Sequence, residues 1–558
     1  MPKSDFSGIG GLSAILILIF FINLSACSLA SDAASRNLPL IPQVWNLEAT
    51  GSTIPVKPNL TIITDLAAMP EAQFLQDKLR QAGLRVDGIQ SPGLAQANTN
   101  QDSIIRLEFQ ASALRFPKHV ADWQADAAYR LRISPQILIQ ANKPEGIFNG
   151  IATLLQLIDA SPRDAKTGQI QIAEVDVQDF PRFAWRGSML DSSRHFISVD
   201  YIKRHLDLMA RYKLNVFHWH LSDDQGWRLP VRGRDRLTSV GAWRKKAEPD
   251  GPDEKYGGFY TVAEIRDIVA FAGVRHIMVV PEIDLPGHAS AALASYPAIA
   301  CGGKNAPHPK QAISEWGIFG NNLCPGKEAS FAFVTDVVQT LTELFPGPYI
   351  HIGGDEIRDI SSWESCPDCQ ERLQKLGLRE TRQLERYFIS RTEQIIRDHD
   401  RIPMAWDDVV HSVSQTSTLL QFWVNETNLA EGRDMGFQFV VSPGSYAYLD
   451  MNYGPPEIKR WAGHISLAKA YSIDPALWNL NDASVRGIEA PLWTEHIPDE
   501  AGLDYHIWPR LAAIAEAAWT PASRRDWDNF RRHLAAQGPI WKAQGLQFFP
   551  SPEIDWQQ

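Results

Sequence analysis

The chain lacks any long basic run and carries a formal net charge of −11 over 558 residues. That argues against nucleic acid as a partner. No G-x-G-x-x-G or Walker loop follows a strand-like segment, so nucleotide chemistry is not indicated. Charged residues make up only 21% and hydrophobic ones 44%, which excludes a disordered chain and leaves a soluble globular enzyme. The apolar stretch at residues 9–21 is short for a membrane span and has no basic stop behind it. Cysteine is scarce, with five in all.

The N-terminus reads as an export signal: Lys3, an apolar core, then Leu24-Ser25-Ala26-Cys27. This tetrad resembles a bacterial lipobox, which predicts a signal peptide over 1–27 with Cys27 lipidated; cleavage after Ala30 is the competing reading. Ser28 resembles an outer-membrane sorting residue, so the expected location is the periplasm or the outer membrane, with membrane contact only through the Cys27 lipid. Export agrees with the other four cysteines, whose even number predicts disulfides Cys301–Cys324 and Cys366–Cys369. Cys366-Pro367-Asp368-Cys369 could also be half of a zinc site or a redox pair. No second C-x-x-C or His pair completes the former and no thioredoxin-like pattern surrounds the latter, so no metal is expected.

After a linker (28–41), residues 42–178 mix strands (60–64, 103–109, 129–134, 136–140) with helices (71–82, 146–157). This predicts a small α+β domain with a mostly antiparallel sheet. From 179 to 545 the rhythm becomes strand, loop, helix, with a tail over 546–558. Strands are expected at 187–192, 215–222, 276–284, 349–354, 403–406, 418–423, 439–443 and 486–492, separated by amphipathic segments such as 201–212. The fold class is therefore α/β, a (β/α)8 barrel behind the α+β domain.

Such a barrel concentrates chemistry at the C-terminal ends of its strands. Those ends carry Asp, Glu, His, Arg, Tyr and Trp, a set suited to a neutral, hydroxyl-rich ligand. The eighteen Trp in the chain agree with sugar stacking. At 349–356, Y-I-H-I-G-G-D-E ends a strand in two glycines and two acids, Asp355 and Glu356. Two neighbouring carboxylates in a dry pocket cannot both ionise freely, so one is expected to hold its proton. The chain must bend near Gly353-Gly354 to aim both inward. The His218/His220 pair could serve a metal, but without a converging third ligand it reads as packing; Asp284 reads as structural, and Trp227, Asp407 and Asp408 have no settled role.

In order along the chain, D-S-S-R-H-F (191–196), H-W-H-L-S-D-D-Q-G-W-R (218–228), P-E-I-D-L-P-G-H (281–288), H-I-G-G-D-E (351–356), Y-L-D (448–450) and P-L-W-T-E (491–495) resemble family 20 glycoside hydrolases, the β-N-acetylhexosaminidases. A-Y-R-L (128–131) and G-I-F-N-G (146–150) are similar to that family's accessory domain. The resemblance implies a cofactor-free, exo-acting retaining enzyme that removes terminal β-GlcNAc or GalNAc from oligosaccharides, the substrate's acetamide acting as nucleophile. It implies Glu356 as acid/base, Asp355 as the group orienting the acetamide, and Tyr448 as donor to its oxygen. Trp406, Trp423 and Trp493 would wall the acetamide methyl. Arg194, Glu495 and Asp450 would bind sugar hydroxyls, Trp461 would form an aromatic rim, and Asp223 with His288 would tune the acid/base. Lacto-N-biosidase-type release of a disaccharide, and a non-catalytic glycan-binding lipoprotein, are the alternatives. The loop 302–322 carries no readable specificity code.

Overall fold

The structure, a computed structural model, describes residues 38–556 apart from 58, 95–102, 117–119, 168, 246–254, 307–308, 455–459 and 462. The signal segment and Cys27 lie outside the described residues. No helix among the described residues is long and apolar enough to cross a membrane.

The first unit is a seven-stranded sheet: β1 (Asn46–Val56), β2 (Asn59–Thr64), β3 (Arg85–Gln90), β4 (Ser103–Phe109), β5 (Tyr129–Ile133), β6 (Ile137–Ala141) and β7 (Ile170–Asp179), in the order β1-β7-β5-β6-β4-β2-β3. Helices Met69–Gln81 and Pro144–Ala160 cover it with Phe74, Leu75, Ile147, Ile151 and Leu154. The sheet is mixed, which corrects the mostly antiparallel expectation. The pairs β1–β7, β5–β7 and β5–β6 are antiparallel, whereas β2–β3, β2–β4 and β4–β6 are parallel. The cause is local: helix Met69–Gln81 sits between β2 and β3 and forces a crossover, which returns the chain parallel. Strand β1 escaped the sequence reading because its burial pattern is that of an exposed edge interrupted by Gly51 and Pro55.

The second unit is a closed barrel of eight parallel strands among the described residues: β8 (Trp185–Asp191), β9 (Val216–His220), β10 (Met278–Glu282), β11 (Tyr349–His351), β12 (Ile402–Trp406), β13 (Leu419–Phe422), β14 (Gln438–Val441) and β15 (Val485–Leu492). Each lies within a predicted segment to one or two residues at its start. Runs such as VFHWH and QFVV are almost wholly buried, as strands covered on both faces require. Between β8 and β9, helix Val199–Arg211 begins at Ser198, whose hydroxyl accepts from Tyr201 N, and buries Ile202, Leu206 and Met209.

The interior is layered. Trp185, Val216, Val280, Tyr349, Met404, Leu419 and Val440 form an apolar plug at the bottom. Two residues further along five of these strands stand His218, Glu282, His351, Trp406 and Gln421. The pleat points these side chains inward as well. The second layer is thus polar. It underlies everything at the top of the barrel.

The two units are locked by a buried cluster in which Lys213 Nζ donates to Asp179 Oδ2 and Tyr129 Oη, each at 2.8 Å. Trp519 Nε1 donates to the other oxygen of Asp179 at 3.0 Å.

The predicted disulfides are not formed. Cys301, Cys324, Cys366 and Cys369 are buried free thiols, gathered in one group. The Sγ separations are 3.4 Å for Cys324–Cys369, 3.7 Å for Cys301–Cys369 and 3.8 Å for Cys324–Cys366. An S–S bond needs about 2.05 Å. Sequence spacing paired neighbours in the chain, whereas the fold brings all four together.

Candidate active site

A cavity of about 490 Å³ opens at the C-terminal end of the barrel. Its floor is the polar layer. His218 lies between Glu489 (Nδ1 to Oε1, 2.8 Å) and Glu282 (Nε2 to Oε2, 3.0 Å). His220 bridges Glu282 at 2.7 Å and Asp223 at 2.9 Å. Burial alone would discharge these imidazoles, but the carboxylates outweigh it and raise His218 to about 9 and His220 well above the usual range. The pair thus holds ion pairs inside the core. Trp406 Nε1 donates to Glu282 Oε1 at 2.9 Å, so this network also orients the indole at the bottom of the cavity.

The two acids follow a tight turn. Strand β11 stops at His351, and Gly353 (φ 68°), Gly354 (φ 89°) and Glu356 (φ 56°) all take left-handed conformations. A Cβ on Gly353 would meet Asp284 Oδ1 at 1.8 Å, so only glycine fits there. Asp284 fastens the turn by accepting the Gly354 N–H at 3.0 Å. The Asp355 and Glu356 carboxylates both reach His288 Nε2, at 3.8 and 3.6 Å. His288 is backed by Asp223, Nδ1 to Oδ1 at 3.2 Å, and by Asp224 at 3.4 Å. Burial disfavours the imidazolium, yet Asp223 above all holds its pKa well above the ordinary value. Asp355 is the acid pushed up, to about 7, chiefly by burial and then by Asp408 and Glu356, against the opposing charge of His288.

Aromatic walls surround the acids. Trp493 lies 5.8 Å from Trp406 and 6.4 Å from Tyr448, ring centre to ring centre. Trp423 stacks on Tyr448 at 6.3 Å, and Trp461 closes on both edge-on at 5.6 and 5.5 Å. Burial, then the charges of Asp355 and Asp450, keeps the Tyr448 phenol far above its usual pKa. It remains a donor at every working pH. Asp450, also buried, is raised to about 7 by burial first and Glu495 next.

Arg194 is anchored chiefly by Asp223. Its Nη2 sits 2.8 Å from Asp223 and 4.0 Å from Glu495, and its guanidinium lies 4.7 Å from the Trp493 ring centre. Asp223 therefore ties Arg194, His220 and His288 into one electrostatic unit. Asp191 holds Arg194 in place from β8: its carboxylate accepts from Arg194 N at 3.0 Å and from Thr494 N at 3.0 Å.

Asp355, Glu356, Tyr448, Arg194, His288, Trp406, Trp423, Asp450, Trp461, Trp493 and Glu495 thus all line one cavity, and Asp223 stands directly behind it. Trp227 does not; it is buried and donates to Leu229 O at 2.6 Å. Asp408 gains a part, since its carboxylate accepts from Trp423 Nε1 at 2.6 Å and approaches Glu356 N at 3.5 Å. The sequence reading missed Trp316, Arg358, Arg460 and His496 on the cavity wall. Arg358, two residues past Glu356, donates to its Oε1 at 3.0 Å, a proximity that spacing could have suggested. Trp316 sits in the long loop 302–322, where no periodicity marks a facing.

Two family models match the chain: glycosyl hydrolase family 20, catalytic domain, over residues 183–522, and domain 2 of the same family over 37–180. A β-hexosaminidase of Porphyromonas gingivalis is 34% identical over 92% of this chain, which spans 65% of that relative's length. One from Akkermansia muciniphila is 35% identical over 73% of this chain and 82% of its own. Among solved structures, an exo β-N-acetylglucosaminidase of Vibrio harveyi in complex with N-acetylglucosamine superposes with a TM-score of 0.79 at 33% identity, covering 92% of this chain and 78% of that one. A Streptomyces coelicolor β-N-acetylhexosaminidase gives 0.77 at 32% identity, over 94% and 99%. Given these matches and the barrel-top geometry, the chain belongs to glycosyl hydrolase family 20 and is a glycoside hydrolase.

Proposed function

We propose that the chain is an exo-acting, retaining β-N-acetylhexosaminidase that cleaves terminal non-reducing GlcNAc or GalNAc with the help of the substrate's own acetamide. The observation that carries this reading is the indole-walled cavity in which Asp355 and Glu356 converge beside His288. Trp406 and the ion pairs beneath it close the floor, which supports binding of a glycan by its end.

In this mechanism Glu356 protonates the glycosidic oxygen as the bond to C1 breaks. The acetamide oxygen attacks C1 from the opposite face and forms a cyclic oxazolinium. Ionised Asp355 accepts the acetamide N–H and stabilises the positive charge developing on that group, and Tyr448 donates to its oxygen. Trp406, Trp423 and Trp493 enclose the methyl group and turn the attack into a positioned, unimolecular event. Glu356 then takes a proton from the incoming water, which opens the ring with net retention at C1. Arg194, Asp450 and Glu495 bind the sugar hydroxyls, and the His288–Asp223 pair sets the proton affinity of the acids.

Aryl β-GlcNAc is expected to release the aryl alcohol, and aryl β-glucoside, which lacks the amide, to react very poorly. Glu356→Gln should cost roughly 10²–10⁴-fold in kcat. Equal rates on the two glycosides, or full activity in Glu356→Gln, would overturn the reading. For localisation, the reading is a lipoprotein anchored through Cys27. Mass spectrometry of the mature N-terminus should find a diacylglyceryl cysteine, and an unmodified terminus at Ser31 would instead establish cleavage after Ala30.

A further inference from the structure

The four thiols that failed to pair sit in the best-built polar group outside the active site. They come from three separate segments. Cys301 follows the short turn Pro297–Ile299, Cys324 precedes helix Glu328–Leu344, and Cys366 and Cys369 are the N-cap and third residue of helix Pro367–Lys375. All four are buried, and one Sγ from each falls within 4.8 Å of the other three. Zinc bound tetrahedrally by thiolates at about 2.3 Å sets its sulfurs roughly 3.8 Å apart. The observed separations of 3.4, 3.7 and 3.8 Å match that edge and are far too long for disulfides.

The backbone around the sulfurs is shaped for the same purpose. Gly302 N–H donates to Cys366 Sγ at 3.4 Å. A Cβ on Gly303 would lie 2.2 Å from Ser365 O, and one on Gly326 would lie 2.3 Å from the Asp368 carbonyl carbon. These two glycines are what allow the Cys301 and Cys324 loops to close onto the Cys366–Cys369 turn. The first turn of helix Pro367–Lys375 adds a positive dipole end under both of its cysteines.

We propose that Cys301, Cys324, Cys366 and Cys369 form a tetrathiolate site for a structural zinc ion. The ion would staple the loop carrying Trp316 to the segment that follows Glu356, because the cysteines pack directly on Ile357 and Trp363. Thiols from three segments replace the second C-x-x-C that the sequence lacks. No step of the glycosidase reaction passes through this metal.

The test uses the full-length chain purified without reductant or chelator. Elemental analysis should find about one zinc per chain. After denaturation in a chelator, alkylation should label the peptides carrying all four cysteines. Exchange with cobalt(II) should give thiolate-to-metal charge transfer and tetrahedral d–d bands. Cys366→Ser and Cys369→Ser should each reduce bound zinc to background; if either fails to fold, the wild-type metal content and thiol count decide alone. Unlabelled cysteines with no zinc would mean disulfides and overturn the proposal. Four labelled thiols that take up neither zinc nor cobalt would overturn it equally, as would undiminished zinc in a variant that folds.

Discussion

Asp355 is the residue whose charge state decides the pH response. Its pKa near 7 leaves the carboxyl half-protonated at neutrality, whereas the proposed mechanism requires the ionised form. As pH falls through about 7 the acceptor is lost, so kcat/KM should drop on the acid side with an apparent pKa near 7, and Asp355→Asn should flatten that limb. The same shift has a stability consequence of defined sign. The folded state holds its proton from the unfolded value of about 3.9 up to about 7, so stability declines as pH rises through that window. Asp355→Asn should therefore melt higher than the parent above pH 7, with the difference vanishing below pH 4; a lower melting temperature at pH 8 would refute the assignment. The pairing of acids was legible from two adjacent letters. That Asp355 is perturbed was not, because it depends on burial and on Asp408 from the turn after β12.

At the scale of elements, the turn after β11 carries the two acids of the proposed mechanism. Gly353→Ala places a Cβ at 1.8 Å from Asp284 Oδ1 and asks alanine to hold φ 68°. The conformation alone costs about 1–2 kcal/mol, and the clash displaces the acids. Urea unfolding should show at least that loss, and kcat should fall with it. Asp284→Ala should lose about 1–3 kcal/mol by orphaning the buried Gly354 N–H. Such a bend was foreseeable from two glycines before two acids. Its clasp was not, since Asp284 is seventy residues away in the chain and was assigned no more than a structural place.

For the whole molecule, buried ion pairs set the pH limits of stability. His218, raised to about 9 by Glu489 and Glu282 against the cost of burial, contributes stability that is complete below about pH 6.5 and lost as pH rises through about 9. Glu489→Gln should weaken this dependence, read as a shallower fall in unfolding free energy between pH 7 and 9. Between the two units, Asp179→Asn should strand the buried Lys213 ammonium and cost about 3–5 kcal/mol. Pairing it with Lys213→Met should recover much of that loss; no loss in the single variant would show that Asp179 does not hold the junction.

The sequence by itself determined the barrel, its strands and most of the cavity, because buried parallel strands are written as continuous apolar runs and functional groups must follow their C-terminal ends. Only the tertiary structure decided the mixed direction of the N-terminal sheet, the attachment of Arg194 to Asp223 and the gathering of four cysteines. Each of these depends on which distant segments become neighbours, and periodicity along a chain records the facing of a residue without recording what it faces.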